Sequence, residues 1–316
     1  MIRVVLCAHN GGRFIEAQLA SIMEQELPVD CVHVFDFAST DDTRPLLARL
    51  AARWPKLDVH LVDDAPGVTM SFQRAFTDVL PLCGDRDVIF LSDQDDVWLP
   101  RKTAIMVSRV EEARCDSTDR LLAFHDVKLC DANLQVIRHS FYEGRPFRVP
   151  RDLDPRRLMI ANPVIGHTIA ITTPLVRTML RCQRLHHYVM HDWALVLLAT
   201  HVGRILYQPD QLGLYRQHDS NVLGAGRRRS IVSYLRRALW LSRSINVQAA
   251  TFIEDVRCAA EEADMAEPTS PLPGAGPLAW RLGASMARHG HTIWHRMLAL
   301  TQARYLFSTE RDAAKH

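Results

Sequence analysis

The chain has 316 residues, 47% of them hydrophobic, and a formal net charge of +2. That apolar content excludes a disordered chain and is enough for one large core, or for a catalytic domain with an extension. The small net charge argues against an extended nucleic-acid surface, so no nucleic-acid partner is expected.

The chain enters directly into an apolar run, Ile2–Ala8, which reads as a first strand rather than a secretory leader. Phe14, Ile15, Leu19, Ile22 and Met23 follow at helical spacing, and 29–35 is a second strand. Helical spacing returns over 43–54 and 72–80, with short strands at 59–62 and 88–91. Alternation of this kind predicts a Rossmann-like, mainly parallel α/β sheet with helices on both faces.

From residue 121 the pattern changes. Segment 121–129 reads as a strand, 145–155 as a Pro/Arg-rich loop, 164–171 as an apolar run and 191–199 as a helix. Short strands are expected at 205–208 and 212–216. The predicted organisation is a catalytic domain over 1–226, with a nucleotide half to about residue 100 and an acceptor half after it. A C-terminal helical extension over 227–316 carries a Pro/Gly linker at 267–277. The 7 cysteines include no CxxC pair, which fits a reduced cytoplasmic setting and gives no zinc motif. No stretch approaches the ~18 apolar residues of a membrane span.

Chemistry concentrates after the strand at 88–91, where Asp93, Asp95 and Asp96 precede Trp98. Acids packed so closely repel one another unless a cation holds them, and a hard divalent ion, Mn2+ or Mg2+, suits oxygen ligands. Parallel α/β sheets bind ligands at the carboxyl ends of their strands. The tips carrying Ala8 and Asn10, Asp36, and the acid run should therefore converge on one edge.

The order of Ala8-x-Asn10, Asp36 to Thr43, Ser92-Asp93-Gln94-Asp95-Asp96-Val97-Trp98, His191-Asp192-Trp193 and Tyr215-Arg216-Gln217-His218 resembles the family 2 glycosyltransferases. The likeness is greatest to their bacterial rhamnosyltransferase-like branch and spans about residues 2–224. It implies a GT-A fold, a nucleotide-diphosphate sugar donor, a divalent metal and inversion at the anomeric carbon. It further implies transfer of a sugar such as L-rhamnose, from dTDP-L-rhamnose, to a saccharide acceptor of bacterial surface polysaccharide.

Matched residue by residue, the resemblance implies that Asp36 contacts the nucleotide base and that Ala8 and Asn10 line its pocket. Asp95 is implied as a direct metal ligand, Asp93 as a neighbour of ribose and metal, and His218 as the completion of the metal shell. Arg216 is implied at the diphosphate and Asp192 as the general base, although Asp192 also stands where a helix cap would. Asp96, Trp98, His191 and Trp193 are implied at the sugar or acceptor, with a core role for Trp193 as the alternative.

The chain departs from the family in having Phe37 where a second acid is usual and Ala38 where glycine is common. Phe37 either stacks on a base or fills the core. Segment 227–241 interleaves arginines with aliphatics and Trp240, which suits either a helix in an anionic membrane interface or one packed on the domain. The acceptor is then either free or lipid-linked, and self-association stays open. The rival activities are a sugar-phosphate nucleotidyltransferase and a nucleotide-binding scaffold without catalysis.

Overall fold

The computed structural model describes residues 1–145, 147–150, 153–159, 161–181, 184–218, 244, 247–248, 251–252 and 254–255. The expectations for 227–241 and for the linker at 267–277 lie outside the described residues.

The elements run in chain order as β1 (Ile2–Ala8), α1 (Ile15–Met23), β2 (Cys31–Phe37), α2 (Thr43–Arg53), β3 (Leu57–Val62) and α3 (Val68–Val79). Next come β4 (Val88–Ser92), β5 (Val97–Trp98), α4 (Lys102–Ala113), β6 (Leu121–Cys130), β7 (Val136–Arg138) and α5 (Pro155–Leu158). The last are β8 (Ile169–Thr172), α6 (Thr173–Arg181), α7 (His191–Val202) and β9 (Arg204–Arg216). Among the described residues they build one nine-stranded sheet of order β3-β2-β1-β4-β8-β6-β9-β5, with β7 paired to β6.

Strands β3, β2, β1 and β4 are mutually parallel, as the alternating pattern predicts. The second half is mixed: β8 is antiparallel to both β4 and β6, whereas β9 runs parallel to β6. Two apolar layers sandwich the sheet. Alternate residues of one strand point to opposite faces, so Val5, Phe35, Ile89 and Leu91 pack with α3, α6 and α7, while Val4, Leu6, Val34 and Phe90 pack with α1, α2 and α4. Helix α7 is buried over most of its circumference, which explains its lack of a polar face.

Direction of travel decides what reaches the carboxyl edge. Strands β1, β2 and β4 deliver their C-terminal ends there. Strand β8 runs the other way, so the 3-10 turn Gly166–Thr168 before it lands beside the acids that follow β4. Strand β9, parallel to β6, brings Arg216 and His218 to the same place. No helix among the described residues is long and apolar enough to cross a membrane.

Candidate functional site

Strand β4 is buried throughout and releases the chain into Asp93-Gln94-Asp95-Asp96 at the sheet edge. Gln94 ties this loop to the tip of β1: its Oε1 accepts the His9 backbone N–H at 2.8 Å and its Nε2 donates to the His9 carbonyl at 3.1 Å. A Cβ on Gly11 would lie 2.5 Å from Gln94 Oε1, so any other residue here would push the Gln94 side chain aside.

The three acids have different surroundings. Asp96 is 2% exposed; its Oδ1 accepts the backbone N–H of Arg216 at 3.0 Å, and its Oδ2 meets His167 Nδ1. Asp95 Oδ2 lies 2.8 Å from His218 Nε2. Asp93 is the most open of the three, with 38% of its side chain exposed and His167 Nδ1 at 3.7 Å. Asp96 gives its Oδ1 to the chain, whereas its Oδ2 and the carboxylates of Asp93 and Asp95 keep oxygens that a ligand could use.

Charge crowding shows in the protonation of these groups. Desolvation, with the charges of Asp96, Asp95 and Asp192, pushes the Asp93 carboxyl up to about 7. Burial and Asp96 raise Asp95, while His218 pulls it back. Burial opposes a charge on His167, but Asp96 and Asp93 outweigh it and raise its pKa. Acids held above their ordinary range by desolvation, and further by one another's charge, fit a bound divalent cation, which would restore their ionisation.

Two overlapping donor sets share Asp93. The set implied by sequence is Asp93, Asp95 and His218. Geometry adds a second, in which Asp93, Asp96 and His167 offer ligand atoms all within 4.8 Å of one another. His167 had no sequence signal beyond a histidine inside the apolar run at 164–171. Lys102 was likewise illegible. It is 1% exposed, donates from Nζ to the His167 carbonyl at 2.7 Å, and lies 3.7 Å from the centroid of the Trp98 ring.

Asp192 sits in the first turn of α7, 8% exposed. Its side chain does not cap the helix; Asn162 Nδ2 donates to its Oδ1 at 3.3 Å, and the backbone N–H groups of Trp193 and Gly166 also reach it. Burial pushes its carboxyl up to about 6, against those donors. Asp93 and Asp192 feel one another's charge, and His167 acts electrostatically on both.

Asp36 is fully buried at the end of β2. Its Oδ2 pairs with Arg44 Nε at 2.6 Å, while its Oδ1 has no hydrogen-bond partner. That leaves one orphaned acceptor at the strand tip, as a ligand N–H or hydroxyl would require. Asn10, in the left-handed region at φ 52°, is exposed, and its Oδ1 accepts the Thr40 backbone N–H at 2.8 Å.

The remaining expected site residues lie deeper in the chain. Trp98 is 3% exposed and packs on Phe90 in the core, because β5 turns it inward against α1 and α4. Trp193 is also a core residue, its indole N–H held by the Leu158 carbonyl at 2.5 Å. His191 stacks on Phe72 at 3.8 Å, 4% exposed, and Asp96 is buried as described. The Ala8 methyl belongs to the core rather than to a pocket wall. Arg216 is 4% exposed and gives its Nε and Nη1 to the carbonyls of Asp95 and Ala132, which braces the acid loop. Phe37 fills the core, and Ala38 keeps the left-handed backbone, φ 51°, that glycine adopts freely.

No family model matches the chain. It is 26% identical over 236 residues to dTDP-rhamnosyl transferase RfbG of Shigella flexneri, covering 70% of this chain and 74% of that one. An uncharacterized glycosyltransferase of Nostoc sp. is 21% identical over 225 residues, and the match spans 66% of its length, just under two thirds. In three dimensions the chain resembles S. aureus TarS 1–349 in complex with UDP-GlcNAc, with a TM-score of 0.55, 13% identity, and coverage of 99% of this chain and 92% of that one. The structural likeness is one of fold. The chain has a GT-A-like α/β fold, and its curated sequence relatives are glycosyltransferases.

Proposed function

We propose that the chain is an inverting, metal-dependent glycosyltransferase that moves L-rhamnose from dTDP-L-rhamnose to a saccharide acceptor of a bacterial surface polysaccharide. The observation that carries this reading is the meeting of Asp93, Asp95 and His218 with the buried carboxyl of Asp192 at one sheet edge. The donor follows from RfbG of Shigella flexneri, whose name specifies a dTDP-rhamnosyl transfer.

In this reading Asp36 and the tip around Asn10 receive the nucleoside, and Asp36 Oδ1 supplies a buried acceptor for it. Asp93 and Asp95 hold Mn2+ or Mg2+, with His218 behind Asp95. When bound, the cation supplies Lewis-acid stabilisation of the departing diphosphate. Asp192 takes the proton from the acceptor hydroxyl as that oxygen bonds to the anomeric carbon and the bond to the diphosphate breaks. Its raised pKa suits a base that must accept a proton near neutral pH.

The test is a thermal-shift and turnover panel of dTDP-L-rhamnose, UDP-GlcNAc and GDP-mannose, each with and without Mn2+. The proposal expects the largest stabilisation, and release of dTDP, with dTDP-L-rhamnose and Mn2+, because stabilisation follows ligand affinity. No response to any nucleotide sugar would overturn it.

A further inference from the structure

Strands β2 and β3 carry a second group of metal-binding side chains, away from the carboxyl edge. Their register sets His33 opposite Asp58 and Phe35 opposite His60. Residues two apart on a strand share a face, so His33 and Phe35 on β2 lie beside Asp58 and His60 on β3, with Cys31 two residues further back along β2. Cys31 opens β2 whereas Asp36 lies near its other end, and β3 is the outermost strand.

The donors converge. His33 Nδ1 lies 3.0 Å and His60 Nε2 2.9 Å from the same oxygen, Asp58 Oδ2. The ligand atoms of these three residues all lie within 4.8 Å of one another. Cys31 Sγ is 3.9 Å from His33 Nδ1. Ligands held about 2.1 Å from a tetrahedral zinc lie about 3.4 Å from one another, so small adjustments would suffice.

The patch is also rigid and reachable. The His60 ring lies flat on Phe35, with centroids 4.3 Å apart and planes 6° apart, and Phe35 is fully buried. The His33 side chain is 2% exposed, whereas those of Asp58 and His60 are 47% and 33% exposed, which leaves an approach from solvent. The one nearby cation is already balanced: Arg3 pairs with Asp87 at 2.8 Å. Ligation through His33 Nδ1 places the ring proton on Nε2, which gives up only a 3.5 Å contact with Arg3 Nη1 at the outer limit of a hydrogen bond.

We infer that His33, Asp58 and His60 form a site for a borderline transition metal of the zinc class, clasping the edge strand β3 to β2, with solvent as the fourth ligand. The donor set of two imidazoles and one carboxylate matches zinc chemistry and contrasts with the oxygen-rich acids at the other edge. Binding displaces the protons shared with Asp58, so affinity falls as pH falls.

The test is a Co2+ titration of the metal-stripped full chain, followed by Zn2+ competition and thermal melts. The inference expects the intense visible bands of tetrahedral Co2+, kept in Cys31→Ser. It also expects His60→Ala to weaken Zn2+ by more than about 100-fold, since loss of a ligand exceeds loss of an outer partner. Asp95→Asn, at the other edge, should leave these tetrahedral bands unchanged. His60 is a partly exposed side chain, so its variant retains the fold for the melt, and Zn2+ should raise the melting temperature of the parent by more than that of His60→Ala. Absence of tetrahedral bands, or tetrahedral bands that survive His60→Ala, would overturn the inference.

Discussion

His218 reaches across 123 residues of sequence to place its Nε2 2.8 Å from Asp95 Oδ2. Two further links from the end of β9 reinforce it, the Arg216 backbone N–H to Asp96 Oδ1 and Arg216 Nε to the Asp95 carbonyl. The end of β9 is therefore a strap across the acid loop. His218→Ala removes both the strap's tip and the group that favours ionised Asp95. It should raise the Mn2+ concentration needed for half-maximal turnover by about 10–100-fold, as for a lost ligand neighbour. Mn2+ titration of the initial rate measures this, and an unchanged midpoint would place His218 outside the metal shell.

Asp192→Asn tests the base. The substitution preserves volume and the Asn162 contact, so the fold should hold while turnover falls about 10²–10⁴-fold, with donor binding kept. In the parent, the base works only when deprotonated. Since burial lifts its pKa to about 6, activity should rise with pH through that value and then level off. Full activity in Asp192→Asn, or a rate that is flat from pH 5 to pH 7, would show that the proton goes elsewhere.

Lys102 is a buried amine whose pKa burial drives well below the ordinary lysine value, despite the pull of Asp96 and Asp93. Its Nζ bonds the His167 carbonyl and so fixes the turn that aims His167 at Asp96. Lys102→Met keeps the stem against Trp98 but leaves that carbonyl without its donor. A stability loss of about 1–3 kcal/mol is expected from the unsatisfied acceptor. Urea melts measure it, and no loss would mean that the turn is held by other bonds.

The parallel half of the sheet was readable because its strands are short apolar runs bounded by polar tips, as β1 and β4 show. Helices α4 and α6 went unread. Lys102 and Thr103 at the start of α4 are buried, against the polarity that their side chains suggest. Strand β9 was expected as two pieces, because Pro209 and Asp210 interrupt its apolar pattern; the structure absorbs them in register shifts against β6. At the site, motif order singled out Asp93, Asp95, Asp192 and His218 as candidates. It could not show that Trp98, Trp193 and His191 turn inward, since a tryptophan in a core and one facing a sugar look alike in sequence. The patch on β2 and β3 stayed hidden for a related reason: its ligands pair across strands, and helical histidine spacing cannot reveal it.

His191 and Asp192 are neighbours whose titrations oppose one another. Burial lowers His191 to about 3, and neither ring nitrogen has a partner. Between about 3 and 6.5 the unfolded chain binds a proton there that the folded chain does not, so stability falls as pH falls. For Asp192, raised from 3.8 to about 6, the folded state holds the extra proton between those values, and stability rises as pH falls. The two contributions offset one another over the shared window. His191→Phe removes only the first and fills the place beside Phe72 without unpaired nitrogens. The variant should be the more stable near pH 5, and its advantage over the parent should grow by about 1.4 kcal/mol for each unit of acidification through the window. Denaturant melts of both proteins at pH 6, 5 and 4 measure that difference in slope. Parallel slopes would show that the imidazole is protonated alike in the folded and unfolded chains, and so is not shut away behind α3.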